Sequence, residues 1–493
     1  NSKFIIMSVS ELQPKEVFSI FHEITQVPRP SKREGKIIEW LKAFAVKHNL
    51  EHTVDEAGNI IMRNPATPGY ENKPGVILQA HMDMVCEKNN DTIHDFDNDP
   101  IHTYIDGDFI KAQGTTLGAD NGIGMALMLA AITSETLQHP ALECLFTVDE
   151  ETGLTGAFRL QDGCLNGKQL INLDSEDDGQ VFIGCAGGID TLAKMHYEAM
   201  SLEAKGERLA IHLKVSGLMG GHSGDDINKG RGNANKILVR FLYQVLSTFD
   251  FQLSTINGGN LRNAIAREAE AVILIPMAKK EDIRIMLNHY IATIEAEIGD
   301  VEKDFAMSLE TTDMPQTIIP ADKAKVLIQA LYACPHGMTA MSKTMPGLVE
   351  TSTNLASVKM REDEKGAYVE INTSQRSSIE SKKHDIKQMV ECALALACDE
   401  VTHGDGYPGW APNPQSPLLE VTKKAYADLF ATEPKVLAIH AGLECGLFLE
   451  KYPYLDMVSI GPQMFGVHSP QERLSITSTG KCWEWLKAIL TAL

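Results

Sequence analysis

A chain of 493 residues is too long for one hydrophobic core, so two domains or more are expected. Its 43% hydrophobic and 23% charged residues have the balance of a soluble globular protein, and a net charge of −21 repels phosphate backbones and anionic membrane surfaces, which sets nucleic acid and membrane aside as partners. Nine cysteines with no C-x-x-C pair exclude a disulfide framework and a thiolate zinc knuckle. The N-terminal "NSKFIIMSVSELQ" lacks the long apolar stretch and small-residue cleavage site of a secretory signal, so a cytoplasmic location is expected.

Residues 11–48 read as helical, with a capping box at Ser31 and Glu34 ahead of a stripe of Ile37, Leu41 and Phe44. "EHTVDEAGNIIMRN" reads as a hairpin turning at Ala57–Gly58–Asn59. A buried strand follows at 76–80, then a helix at 121–134, a strand at 142–148, a helix near 154–160 and a strand at 170–173. Two more buried strands, 438–440 and 457–461, come after a helix at 417–430. Short apolar strands alternating with helices predict an α/β unit with a mixed, largely parallel sheet.

The stretch between changes character. "LAIHLKVSG" alternates, "NANKILVRFLYQVLS" is an amphipathic helix, "REAEAVILIP" a strand and "EDIRIMLNHYIATIEAEI" a helix, with a further strand in "GAYVEINTSQRS" and helix in "SKKHDIKQMVECALALA". This predicts an α+β domain over 188–412 interrupting an α/β domain made of 1–187 and 413–493. The Pro- and Gly-rich segment 404–417 reads as the linker back.

The chemistry collects at strand ends. His81 and Asp83 end the strand 76–80, two apart and therefore on one side of an extended chain. Asp149, Glu150 and Glu151 follow the strand 142–148, Asp174 follows 170–173, and Asp120 in "GTTLGADNGIG" opens a helix. In an open parallel sheet the strand C-termini form one rim where ligands bind. So many carboxylates in one crevice need a positive partner. Imidazole and carboxylate without thiolate suit Zn²⁺, Co²⁺ or Mn²⁺, and a pair of ions about 3.5–4 Å apart needs a bridging carboxylate and a second imidazole. His468 in "GVHSP", beyond the strand 457–461, offers that imidazole. One of the Glu150–Glu151 doublet can ligate while the other stays free as a general base, and Asp83 can aim His81.

At this point the chain resembles a family. "AHMDMV", "TTLGADNGIG", "DEETG", "LDSE" and "GVHSP" are similar to the motifs of the dinuclear zinc metallopeptidases that include carnosinase and the bacterial glutamate carboxypeptidases. "CAGGID", "GGHSG", "GRGNANK" and "HAGLECGLF" extend the likeness over nearly the whole chain, toward the aminoacyl-histidine (Xaa-His) dipeptidases. The resemblance implies one metal on His81 and Asp174, the other on Glu151 and His468, with Asp120 bridging. It makes Glu150 the general base and Asp83 the acid that orients His81. It implies that the α+β domain is a lid, in which His222 of "GGHSG" stabilises the oxyanion and Arg376 of "TSQRSS" meets the substrate carboxylate. Asn263 in "LRNAIARE" stands where relatives read Asn-x-Ile-Pro and would contact substrate, with Ala266 in the place of the proline. Two divalent metal ions, foremost Zn²⁺, a small dipeptide substrate and a homodimer complete the expectation.

The expected activity is metal-dependent hydrolysis of Xaa-His dipeptides such as beta-alanyl-histidine. The alternative of the same family is an aminoacylase or carboxypeptidase acting on N-acyl amino acids or other peptides. A binding protein without catalysis is disfavoured by a full ligand set beside a free acid. "GLMGGHSGDD" lacks the G-x-x-x-x-G-K-[ST] of a phosphate loop, "GHSGD" fails the G-x-S-x-G spacing, and no H-E-x-x-H occurs.

Overall fold

The apolar run that begins at Val76 becomes the strand Val76–His81, buried at every position. A computed structural model describes residues 8–202 and 207–493; the first seven residues, part of the N-terminal stretch read above, lie outside the described residues. The chain divides into two compact units. One comprises the residues up to Gly184, Pro412–Ala438 and Leu443–Leu493; the other comprises Cys185–Ala411 and Ile439–Gly442. The four residues Ile439–Gly442 therefore leave the C-terminal segment that the sequence places whole in the first domain.

The first unit is built on an eight-stranded sheet in the order Glu51–Val54, Ile60–Asn64, Leu142–Thr147, Val76–His81, Gln169–Asn172, Asp456–Ser459, Gln180–Cys185, Lys435–Ile439. The four strands from Leu142–Thr147 to Asp456–Ser459 are parallel. The flanking pairs that include the hairpin are antiparallel, as is the contact with Gln180–Cys185. The four parallel strands end on one rim, which is what a binding crevice requires. The helix Ala119–Ile132, apolar all round, is buried at every position but Asp120 and packs on Val76–His81 and on the helix Lys15–Thr25.

Three local expectations are corrected. The helical stretch 11–48 breaks into Lys15–Thr25 and Gly35–Lys47, and Ser31 forms no capping box. Its hydroxyl donates instead to Asp83 Oδ2 at 2.7 Å, and Glu34 Oε1 accepts the N–H groups of Lys32 and Asp149. Ser31 is drawn from local capping to Asp83, while Glu34 keeps a local bond to Lys32 and adds one to the distant Asp149. The strand expected at 438–440 is Lys435–Ile439. The stretch 404–417 does return the chain from the second unit to the first, at Ala411–Pro412, but its first half is pinned within the second unit: Tyr407 exchanges backbone hydrogen bonds with Gly188, and Trp410 with Cys185, leaving Trp410 buried.

The second unit is α+β. Its main sheet runs Ala306–Thr311, Arg208–Ser216, Ala269–Pro276, Gln252–Gly258, Val349–Asp363, Gly366–Ser377, Gly187–Tyr197, Glu400–His403, with Gly337–Met341 attached to Val349–Asp363. Each pairing is antiparallel. Alternation along Arg208–Ser216 puts Ile211, Leu213 and Val215 in a core shared with the helices Ala234–Thr248, Lys280–Ile298, Ala321–Ala333 and Glu380–Leu394. No helix of the described residues is long and apolar enough to cross a membrane.

Candidate active site

The rim gathers the side chains that the sequence scatters over almost four hundred residues. His81 Nε2 lies 3.0 Å from Asp120 Oδ1 and 3.4 Å from Asp174 Oδ1. His468 Nε2 lies 3.1 Å from Asp120 Oδ2 and 3.1 Å from Glu151 Oε2. Asp120 thus turns one oxygen to each imidazole. Among the triads whose donor atoms lie within 4.8 Å of one another are His81 with Asp120 and Asp174, Asp120 with Glu151 and His468, and His81 with Glu150 and Glu151. A short helix, Glu150–Gly153, starts at the doublet, and both carboxylates come close to His81.

Local structure explains how each donor is presented. Asp120 and Asn121 have non-helical dihedrals, and Asn121 Oδ1 accepts the Gly124 N–H at 3.2 Å. Asn121 thus does the capping work, which frees Asp120 to face the imidazoles. His468 is held at φ 61°, a left-handed conformation that a non-glycine residue adopts at a cost. Asp83 lies 3.3 Å from His81 Nδ1, and its two oxygens accept the N–H groups of Glu150 and Glu151 at 3.0 and 3.3 Å. One carboxylate therefore faces the imidazole and anchors the start of the helix that carries the doublet. Ser31→Ala removes the third donor to this buried carboxylate and is expected to cost about 1.5–3 kcal/mol, the usual value for a hydrogen bond to a charged group, in chemical denaturation.

The electrostatics are those of a crowd of acids in a low dielectric. Burial would raise the Asp120 carboxyl, but hydrogen bonds from His468 and His81 outweigh it and hold it well below the ordinary range. Hydrogen bonds to Asp120 and Glu151 push the His468 imidazole up to about 11. Burial lifts Asp174 to about 6 and raises Glu150 well above its usual value, with Asp174, Glu444 and Glu151 adding to the Glu150 shift. Glu151 Oε1 is buried and has no hydrogen-bond partner. Two imidazole nitrogens, several carboxylates and an orphan oxygen, without thiolate, form a donor set that fits divalent cations of the Zn²⁺ class.

Three residues at this site escape sequence reading. Arg29, buried between two prolines, donates to the carbonyls of Met82 and Asp83 at 3.1 and 2.8 Å and to that of Gly118. Glu472, buried, accepts from the backbone of residues 117–120. Glu444, 1% exposed, accepts from Gln79 Nε2 at 2.6 Å and Thr147 Oγ1 at 2.9 Å, and burial pushes it up to about 8. Only Glu444 lay in a motif that had drawn attention, "HAGLECGLF", and nothing in the motif indicates that it caps the floor of the rim.

His222, Arg376 and Asn263 belong to the second unit. His222 Nδ1 lies 3.3 Å from the N–H groups of Gly224 and Asp225 and 3.4 Å from Asp225 Oδ2. Arg376 is buried on the strand Gly366–Ser377; its Nη1 donates to the Tyr407 hydroxyl at 3.0 Å, and its Nε has no partner. The Asn263 side chain is exposed, and the backbone carbonyl of Asn263 accepts the Ser223 N–H at 2.9 Å.

A mixed sheet with acids and imidazoles paired on its rim is the arrangement of a metal-dependent peptidase with a dinuclear divalent-metal site. Residues 77–492 match the peptidase family M20/M25/M40, and the chain belongs to that family. It is 43% identical to a cytosol non-specific dipeptidase of Escherichia coli over 98% of both chains. It superposes on an aminoacylhistidine dipeptidase of Vibrio alginolyticus with a TM-score of 0.94 at 40% identity, covering 100% of this chain and 99% of that one. An aminopeptidase of Bacillus cereus shares the fold at 17% identity, with a TM-score of 0.62 over 98% and 99% of the two chains.

Proposed function

We propose that the chain is a cytoplasmic dipeptidase that hydrolyses Xaa-His dipeptides. The observation that carries the reading is Asp120, whose two oxygens each meet a different imidazole at 3.0 and 3.1 Å. In this reading His81 and Asp174 would hold one divalent ion, Glu151 and His468 the other, and Asp120 would serve both. Such a pair supplies a Lewis acid for the peptide carbonyl and lowers the pKa of water toward ~7. Glu150 takes the proton of the attacking water and passes it to the leaving amine. Asp83 fixes the ring of His81 and the start of the Glu150–Gly153 helix. His222 donates to the developing oxyanion; Arg376 takes the substrate carboxylate, and Asn263 makes a further polar contact.

The names of the relatives support dipeptides, and they favour two breadths. The Vibrio enzyme's name specifies a histidine residue, while that of the Escherichia coli relative, non-specific dipeptidase, favours a broader panel. Zn²⁺-loaded protein is expected to cleave beta-alanyl-histidine and other Xaa-His dipeptides and to leave N-acyl amino acids and tripeptides intact. Cleavage of N-acyl amino acids alone would overturn the assignment, and equal rates across dipeptides would select the broader one. A homodimer, implied by the family resemblance, is expected in light scattering.

A further inference from the structure

Glu472 lies four residues beyond His468 and is 2% exposed. Its Oε2 accepts the N–H groups of Leu117 and Gly118 at 2.7 and 3.0 Å, and its Oε1 those of Ala119 and Asp120 at 2.8 and 3.2 Å. Four consecutive backbone donors converge on one carboxylate, a nest for an anion that here is a side chain from the far end of the sequence. The turn between His468 and Glu472 is hydrogen-bonded within itself: the Ser469 hydroxyl donates to the Gly466 carbonyl, and the Glu472 N–H donates to the Ser469 carbonyl at 3.0 Å. The nest is close-packed on its other side. Gly118 has φ 69°, and a Cβ there would stand 2.6 Å from Arg29 Nη2 and 2.8 Å from Met84 Sδ. Arg29 in turn binds the Gly118 carbonyl and the carbonyls of Met82 and Asp83, next to His81.

We propose that Glu472 is a positioning residue for the metal pair: its carboxylate locks the loop that delivers Asp120 to the turn that delivers His468, so both ions are held through one joint. This inference rests on the dinuclear reading above. It deepens that reading by naming what sets the spacing of the ligand shared by both ions relative to a ligand of one. Glutamine cannot satisfy the nest, because its amide nitrogen would face two of the four N–H donors. A residue that orients ligands without touching the metal typically changes affinity 10–100-fold.

The test is Zn²⁺ binding by competition with a chromophoric chelator, on parent and Glu472→Gln protein, at a temperature where circular dichroism shows both metal-free proteins folded. The parent is expected to bind two ions. Glu472→Gln is expected to bind both about 10–100-fold more weakly, with an altered visible spectrum after Co²⁺ loading and a lower kcat at similar KM. Parent-like affinity for both ions in Glu472→Gln overturns the proposal, even if its unfolding midpoint drops, because that drop alone marks a merely structural role. Should Glu472→Gln not fold, Glu472→Asp decides: its shorter arm keeps the charge but cannot span the nest, and unchanged Zn²⁺ affinity overturns the proposal equally. A parent that binds no metal at all would instead defeat the dinuclear reading.

Discussion

Glu150→Gln is expected to retain two metal ions per chain while kcat falls by about 10²–10⁴-fold, the usual contribution of a positioned general base. Glutamine keeps the volume and can still hydrogen-bond, but it cannot take a proton from water. The contacts that build the local backbone survive the change, because Asp83 Oδ1 binds the main-chain N–H of residue 150 and not its side chain. The carboxylates that face the imidazoles, Asp120, Asp174 and Glu151, are untouched. KM is therefore expected to change little, since the lost interaction is made in the transition state. Elemental analysis with steady-state kinetics on one preparation separates the outcomes. Near-normal kcat with full metal would remove Glu150 from the role of base, and loss of metal would make it a ligand, an option that its place in a group with His81 and Glu151 keeps chemically reasonable.

How much of this was legible in the sequence depends on whether a residue's partners lie on a repeating element. The strand Val76–His81 announces itself by an apolar run, and the parallel-sheet rule then places whatever follows it on the rim. The same rule carried Asp174 and the Glu150–Glu151 doublet. Asp120 was legible as the opening of a helix, but its freedom from capping duty was not, because Asn121 could equally have been the spare group. The insertion of Asp456–Ser459 between Gln169–Asn172 and Gln180–Cys185 leaves no trace in local pattern. Ser31 and Glu34 fit a capping box by spacing, and the structure spends them on Asp83 and Asp149 because buried charged and backbone partners outcompete a solvated helix end. Arg29 and Glu472 bind main-chain atoms distant in sequence, and a backbone carbonyl or N–H has no letter to signal it.

Asp120→Ala is expected to abolish stable binding of the metal pair and to reduce activity by more than 100-fold, a larger loss than the 10–100-fold typical of a residue outside the ligand set. The reason is its placement between His81 Nε2 and His468 Nε2, one oxygen for each. Removing it leaves each imidazole Nε2 facing one carboxylate, Asp174 or Glu151, so each candidate ion keeps only two side-chain donors from this set. Metal binding couples to stability, because an ion that binds the folded chain alone raises its unfolding temperature. The decisive quantity is thus the rise in midpoint on going from excess chelator to excess Zn²⁺, which cancels whatever the substitution does to the metal-free fold. The parent is expected to show a clear rise and Asp120→Ala little or none. The Glu472 nest offers the contrast. It binds the main-chain N–H of residue 120, which alanine retains, so the loop is expected to keep its path while the bridge is lost. An undiminished Zn²⁺-induced rise in Asp120→Ala would show that the two imidazoles hold their ions independently, and the shared carboxylate would lose its place at the centre of the site.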